Sequence, residues 1–280
     1  MSGATGWSPA SINNRIEPGE SHGFAGRSDA KASASARATA DQEWLLTRRS
    51  FSEGRVRGPG STWALAMRRL FHLLMSPSCR LVRLILGEKR VAYDLAPPDD
   101  PMAHLPAFAD LDGTVVTGLW AVIDHIESEY PEPALVPAET PNRSEVLRLF
   151  DWTMGNFHEE TTRRIVFEKA SSSHTGNVSR RSPNMETVRA GREALRPALA
   201  RLGTIADTNG FLAGRDLTLA DLALAAQLSA LDYYGEIPWA EYPQLTDWYT
   251  RIKSRPSFRP LLSDRIPGQP PVPHYAELDF

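Results

Sequence analysis

The sequence RRLFHLLMSPSCRLVRLILG occupies residues 68–87 and contains the change of pattern that decides the fold. Its first eight residues form a compact apolar run of strand length. Ser76-Pro77 then has the residue types of a helix N-cap and first helical position, and apolar residues follow at helical spacing. The stretch predicts a strand over 68–75 that leads directly into a helix over 77–86, ended by Gly87.

Further short elements follow this strand and helix. Asp112-Gly113 lies between two short apolar runs, which is the pattern of a tight hairpin with antiparallel strands. The predicted order is βαβ followed by ββα within a domain over 67–130. The later elements are predicted as strands over 91–95, 106–110 and 114–117 and a helix over 119–130.

The rest of the chain has a helical pattern. A Pro-rich linker over 131–141 precedes purely helical spacing over 142–262, so the fold class is an α/β domain followed by an all-α domain. Thr218-Leu219-Ala220-Asp221 opens an apolar helix with a capping-box pattern, in which Thr218 and Asp221 satisfy each other's backbone amides. We interpret this box as a structural cap without a catalytic role.

Composition excludes several classes of function. The 280 residues include 31 Lys and Arg against 34 Asp and Glu, a net charge of −3, which argues against a nucleic-acid surface. The single cysteine, Cys79, permits no intrachain disulfide and no multi-thiolate metal site, and it fits a reducing compartment such as the cytoplasm. No metal site is expected from the scattered histidines. No apolar run is long enough for membrane insertion.

Residues 1–66 differ from the rest of the chain. They are rich in Ala, Ser and Gly, and their large apolar residues are sparse and aperiodic. Such a segment buries too little surface to offset its ordering entropy. Two interpretations stay open: a disordered extension, or upstream sequence preceding a true start at Met67, which we favour.

Three motifs together resemble the glutathione transferases. They are residues 76–83, SPSCRLVR; Leu105-Pro106; and residues 211–221, FLAGRDLTLAD. The resemblance covers about residues 67–262. It implies a thioredoxin-like N-terminal domain and an all-helical C-terminal domain.

The resemblance also implies where a glutathione site would lie. Ser76 matches the position that stabilises the substrate thiolate at a helix N-terminus, and Cys79 matches the second cysteine of redox relatives. Leu105-Pro106 matches the cis-proline that presents backbone hydrogen bonds to glutathione. Family members usually place Glu-Ser or Gln-Ser after the hairpin, whereas this chain has Gly118-Leu119. The substrate site is therefore predicted to be degenerate, which favours a binding protein over an enzyme.

The C-terminal residues 263–280 extend beyond the ordinary transferase pattern. Four prolines between 267 and 273 favour an extended segment, and the aromatic and acidic end has the composition of a docking element. The alternative is a tail that folds back over the helical domain as structural cover. The predicted partner-binding residues are Gly268, Tyr275, Leu278, Asp279 and Phe280 in the tail, and Trp120 in the former substrate groove.

The transferase-like body, the missing Glu-Ser pair and this tail together resemble the FtsZ-binding, glutathione-transferase-like cell-division proteins of alphaproteobacteria. That resemblance implies a cytoplasmic homodimer at the division site that binds, bundles and curves FtsZ filaments without transferase chemistry or a cofactor. The alternative is a divergent glutathione S-transferase or glutathionyl-oxidoreductase that uses glutathione with Ser76 or Cys79.

Overall fold

The computed structural model describes residues 67–98, 104–170, 172–175 and 182–278. The predicted extension over 1–66 lies outside these residues. None of the helices in the described ranges combines the length and the apolar character of a membrane span.

The N-terminal part has the predicted βαβ–ββα order around a four-stranded sheet. The strand order is β2-β1-β3-β4, with β1 parallel to β2 and antiparallel to β3, and β3 antiparallel to β4. The elements are β1 (Arg69–Phe71), α1 (Pro77–Glu88), β2 (Asp94–Ala96), β3 (Ala107–Ala109), β4 (Val115–Thr117) and α2 (Leu119–Glu129).

Several boundaries differ from the sequence prediction, and two of these differences have a clear cause in the structure. β1 ends at Phe71, four residues early, because the chain turns and the Ser76 amide donates to the Leu73 carbonyl at 3.2 Å. The apolar character of the following residues reflects burial and not extended backbone. α1 continues through Gly87 to Glu88, where a Cβ on Gly87 would lie 2.8 Å from Cβ of Ser257. That glycine permits close packing and does not end the helix.

The C-terminal part is helical, as predicted. A π-helical segment, Thr153–Thr162, joins its first two helices, and short 3₁₀ helices occupy Trp239–Glu241, Pro256–Phe258 and Pro273–Ala276. The α-helices are α3 (Asn142–Trp152), α4 (Arg163–Lys169), α5 (Ser172–Thr175), α6 (Met185–Asn209), α7 (Leu219–Tyr233), α8 (Pro243–Lys253) and α9 (Arg259–Leu262).

Helix α7 forms the centre of the core. All of its residues from Leu219 to Tyr233 are buried, which agrees with a helix whose apolar residues are spread over every side. It packs against α1 of the sheet domain and against α3 and the π-helical segment. The two parts of the fold therefore share one continuous apolar interior.

The start of α7 depends on Asp221, which is fully buried. Its carboxylate accepts hydrogen bonds from the amide and hydroxyl of Thr218 at 2.9 and 2.8 Å, and from the Leu212 amide at 2.8 Å. Nε1 of Trp248 donates to it at 3.1 Å. Because water does not reach these donors, one carboxylate satisfies groups from a loop, a helix start and α8.

We expect Asp221→Ala to lower the free energy of unfolding by about 3 kcal/mol or more, because it leaves several buried donors without an acceptor. Urea unfolding followed by circular dichroism measures the loss. The exposed Asp216 on the preceding turn provides a matched control, and Asp216→Ala should cost less than about 0.5 kcal/mol. Equal losses in the two variants would contradict the central role of Asp221.

Candidate functional site

Ser76 lies at the N-terminus of α1, where the resemblance places a thiolate-stabilising hydroxyl. It is the N-cap residue, with extended backbone (φ −75°, ψ 117°), and Pro77 begins the helix. Its side chain makes no capping hydrogen bond and is only partly buried. The hydroxyl is thus positioned where the helix dipole favours an anion, which keeps the alternative of a thiol substrate open.

Cys79 has the environment of a packing residue. Its side chain is fully buried, and Sγ accepts a hydrogen bond from the Leu73 amide at 3.4 Å. Burial raises the pKa of the thiol, with hydrogen bonds from Leu73 and Ser76 opposing the shift. A thiol that is inaccessible and harder to ionise is poorly suited to nucleophilic or disulfide chemistry.

The chain bends at Leu105-Pro106, and this peptide bond is cis. The Gly118 amide donates to the Pro106 carbonyl at 2.9 Å, which brings the end of β4 beside this bend. Gly118 has φ +88°, a conformation that favours glycine, and Leu119 begins α2 as a half-buried apolar residue. The two positions thus provide neither a carboxylate for an ammonium group nor a hydroxyl for a carboxylate.

Trp120 packs at the junction of the two parts of the fold. Its ring lies 4.5 Å from the Phe150 ring, centroid to centroid, in a tilted arrangement. It is half-buried and packs against the apolar core, so part of its side chain remains accessible. A partner contact at Trp120 stays a prediction.

The tail does not extend away from the body as the sequence predicts. The Tyr233 hydroxyl donates to the Gln269 carbonyl at 2.8 Å and accepts from the Ile266 amide at 2.9 Å. The Val272 amide donates to the Tyr233 carbonyl at 3.2 Å, and the prolines lead into the 3₁₀ helix Pro273–Ala276. Most of the tail therefore covers the C-terminal end of α7, which is the alternative that the sequence left open.

Tyr275 contradicts the prediction of a partner contact. Its side chain is completely buried, donates to the Leu261 carbonyl at 2.9 Å and accepts a short hydrogen bond from Arg80. Burial raises the pKa of its hydroxyl to about 12. The sequence does not distinguish the two cases, because an aromatic residue in a polar tail has the same local pattern whether it packs against a partner or against its own core.

The other predicted tail contacts divide into two groups. Gly268 is exposed at a turn with φ +76°, and Leu278 is 43% exposed at the end of the described chain. Both are accessible to a partner. Asp279 and Phe280 lie outside the described residues.

Two buried arginines of α1 were not among the predicted site residues. Arg83 forms a bidentate pair with Asp264, at 2.8 and 2.9 Å, and Arg80 contacts the same carboxylate at 3.3 Å. Burial lowers the pKa of the Arg83 guanidinium, but its bonds with Asp264 outweigh this and raise the pKa overall. The sequence signal for this buried cluster is a pair of arginines three residues apart in an otherwise apolar helix.

His72 lies beside this cluster at the end of β1. Its Nδ1 atom is buried and has no hydrogen-bond partner among the described residues. Burial and the positive charges of Arg83 and Arg80 lower its pKa to about 4, against the opposing charge of Asp264. The imidazole is therefore neutral near pH 7.

Comparison with known proteins gives two family matches and close relatives. Residues 70–134 match the glutathione S-transferase N-terminal domain, and residues 185–251 match the C-terminal domain. The chain is 37% identical over 227 residues to the "FtsZ-localized protein A" of Caulobacter vibrioides, covering 76% of this chain and 98% of that protein.

Two solved structures are also similar. A glutathione S-transferase from Rhodospirillum rubrum has a TM-score of 0.71 at 37% identity, covering 76% of this chain and all of that one. FzlA from C. crescentus has a TM-score of 0.71 at 34% identity, covering 77% of this chain and all of that one. The predicted fold class, a transferase-like α/β domain followed by a helical domain, is confirmed.

We expect glutathione to bind two to four orders of magnitude more weakly than to a transferase that has both residues of the Glu-Ser pair. Gly118 and Leu119 each lack a charge-assisted hydrogen bond worth about 1.5 to 3 kcal/mol. Isothermal titration with millimolar glutathione, beside an active transferase as control, measures the difference. Micromolar binding would show that other residues replace the missing pair.

We expect His72→Phe to reduce the acid sensitivity of the protein. The folded-state pKa of His72, about 4, lies below its unfolded value of about 6.5, so the unfolded state binds the proton first as pH falls. Wild-type stability should therefore decrease from pH 6.5 to 4 by up to about 3 kcal/mol more than that of the variant. Urea unfolding at several pH values tests this, and parallel curves would contradict it.

Proposed function

The chain belongs to the glutathione S-transferase superfamily and, within it, to the family of FtsZ-localized protein A, and from this membership we propose that it acts in bacterial cell division by binding FtsZ filaments. It works in the cytoplasm at the division site, where it bundles and curves the filaments and regulates constriction. It performs no transferase chemistry in this role and requires no cofactor.

The observation that carries the proposal is the 37% identity to FtsZ-localized protein A over 98% of that relative. The geometry of the former substrate site supports it. Gly118 and Leu119 lack the groups that would hold glutathione, and Cys79 is buried with a raised pKa. A scaffold that keeps its core and loses its substrate contacts is suited to a binding role.

Bundling requires more than one filament-binding surface in each particle. A homodimer with two-fold symmetry presents every surface twice, so one particle can contact two filaments. Repeated sites along a polymer add avidity, and a modest affinity at each site is then sufficient. We propose that this protein is such a homodimer.

The proposed filament contact consists of the accessible end of the tail with Gly268, and the exposed side of Trp120. Leu278 is a large apolar side chain that is 43% exposed, next to Glu277 and followed by Asp279 and Phe280. An apolar anchor flanked by acidic residues fits a groove with a basic rim. Buried Tyr275 is not part of this surface.

A second function is supported by a specific observation. Ser76 stands at the N-terminus of α1 with a free capping position, and the similar structure from Rhodospirillum rubrum is a glutathione S-transferase. A divergent transferase that ionises a different thiol substrate at Ser76 is therefore the alternative.

Co-sedimentation with GTP-assembled FtsZ tests the proposed function. We expect the full chain to pellet with the filaments and a chain ending at Ala276 to lose most of this binding, because its buried tail remains while the accessible end is removed. Leu278→Ala should weaken binding about tenfold, as for a central apolar contact. No pelleting of the full chain with visibly polymerised FtsZ would reject the proposal.

Leu95→Ala is the matched control for Leu278→Ala. Leu95 is 44% exposed, close to the 43% of Leu278, and it lies on edge strand β2 of the sheet. Its replacement removes the same apolar area and should leave co-sedimentation unchanged. A similar loss in both variants would indicate general apolar adhesion in place of a tail contact.

We expect Ser76→Ala to leave FtsZ binding and cell constriction unchanged in a strain that depends on this protein. The hydroxyl makes no capping bond, and Cys79, to which it bonds, is held by burial in the core, so its loss should leave α1 in place. Immunoblotting checks abundance. If the folded, abundant variant blocked constriction, the transferase alternative would be favoured.

The dimer is tested separately by sedimentation velocity. We expect a species of about twice the 31.0 kDa chain mass at micromolar concentration. A monomer at all concentrations that bundle FtsZ would exclude the two-site explanation of bundling.

A further inference from the structure

We propose that a buried cluster of Arg80, Arg83, Ser229, Asp264 and Tyr275, here called the tail socket, fixes the position of the chain just before Glu277 and Leu278 and so positions these two residues for a partner. This inference rests on the proposed function for the identity of that partner. The position of the tail itself can be measured without FtsZ.

The socket joins segments that are far apart in the sequence. Arg80 Nε donates to the Ser229 hydroxyl of α7 at 2.8 Å, and its Nη1 donates to the Leu74 carbonyl at 3.1 Å. The same guanidinium contacts Asp264 and Tyr275 of the tail. The Arg80 side chain thus connects the loop before Ser76, helix α7, and two residues of the tail that lie 11 positions apart, Asp264 and Tyr275.

The charges of the socket make its geometry specific. Arg80 and Arg83 are 0% and 2% exposed, and they share the single carboxylate of Asp264. Burying ions is costly, and a buried ion pair contributes little net stability compared with apolar packing. The ion pair instead favours one arrangement, because any displacement of Asp264 leaves two buried guanidinium groups without an opposing charge.

Tyr275 fixes the far end of the tail. Its ring packs edge-on against Tyr233 at 5.2 Å, and its hydroxyl is held between Arg80 and the Leu261 carbonyl. Nζ of Lys253 donates to the His274 carbonyl at 3.2 Å next to it.

The last backbone hydrogen bond in the described part of the tail is made by Glu277. The Glu277 amide donates to the His274 carbonyl at 3.0 Å, and the side chains of Ala276, Glu277 and Leu278 are exposed. The side chains therefore change from buried at Tyr275 to exposed at Ala276, Glu277 and Leu278. A binding segment presented from a fixed point loses less entropy on association than one on a free arm.

The experiment uses the full chain and compares Tyr275→Phe with Tyr130→Phe. The Tyr130 hydroxyl also accepts from an arginine, Arg68, and donates to Asp110, at 2.9 and 2.6 Å, but it makes no hydrogen bond to the tail as far as the structure describes it, through Leu278. Both variants keep the ring and remove one hydroxyl. Asp264→Asn is a second, stronger disruption of the socket.

Two readouts separate positioning from general stability. Hydrogen exchange of the backbone amides in 264–277 reports whether the tail is held, and co-sedimentation with FtsZ reports binding. For Tyr275→Phe we expect exchange in the tail at least about tenfold faster, with α7 unchanged, and FtsZ binding about fivefold weaker. Tyr130→Phe should change neither readout.

An insertion tests whether the exit point itself matters. Gly-Ser-Gly placed between Ala276 and Glu277 keeps the socket and the complete terminal sequence but moves that sequence away from its attachment. We expect normal exchange in 264–276 and FtsZ binding about fivefold weaker. The flexible residues free the terminal segment, so binding must order it and lose conformational entropy.

The outcomes distinguish this inference from the proposed function. Faster tail exchange in Tyr275→Phe with unchanged FtsZ binding, or wild-type binding by the insertion variant, would overturn positioning while leaving the proposed function intact. Unchanged exchange in both Tyr275→Phe and Asp264→Asn would overturn the socket directly. Absence of FtsZ binding by the wild-type chain would reject the proposed function and, with it, the partner named for the positioned segment.

Discussion

The pairing of Arg80 and Arg83 with Asp264 is the interaction on which the arrangement of this protein depends. Both arginines project from α1 into the interior, where an unpaired guanidinium would carry a large desolvation penalty. The compensating carboxylate comes from the start of the tail, more than 180 positions away in sequence. The sheet domain, the helical domain and the tail are consequently joined through one small group of polar atoms.

The same scaffold explains why a transferase fold can serve in filament binding. Its stability comes from the shared apolar core around α7 and from the cap at Asp221, and neither requires a carboxylate at position 118 or a hydroxyl at position 119. Gly118 and Leu119 could therefore lose the groups that bind glutathione without weakening the fold. Function can diverge at such a groove because the polar groups that bind a ligand are separate from the apolar groups that pack the core.

The tail gives this scaffold a feature that the transferase pattern lacks. Its prolines and its bonds with Tyr233 hold it against α7, while Gly268 near its middle and Leu278 at the end of its described part remain accessible. A long docking arm would lose much conformational entropy on binding, whereas a short segment leaving a rigid body loses little. The buried hydrogen bonds of Tyr275 would in this way favour binding at the exposed Leu278, because they hold the segment that carries it.

The sequence by itself determined the order of elements, the fold class, the capping pattern at Thr218 and Asp221, and the loss of the Glu-Ser pair at Gly118 and Leu119. These features are local, because hydrophobic period, turn residues and motif positions are read within a few residues. Only the tertiary structure decided that β1 ends early, that Gly87 lies within α1, and that Tyr275 is buried while Leu278 is exposed. Those outcomes depend on contacts between distant segments, such as Arg80 with Asp264 and Gly87 with Ser257, and no local pattern of residues specifies which distant partner a side chain will meet.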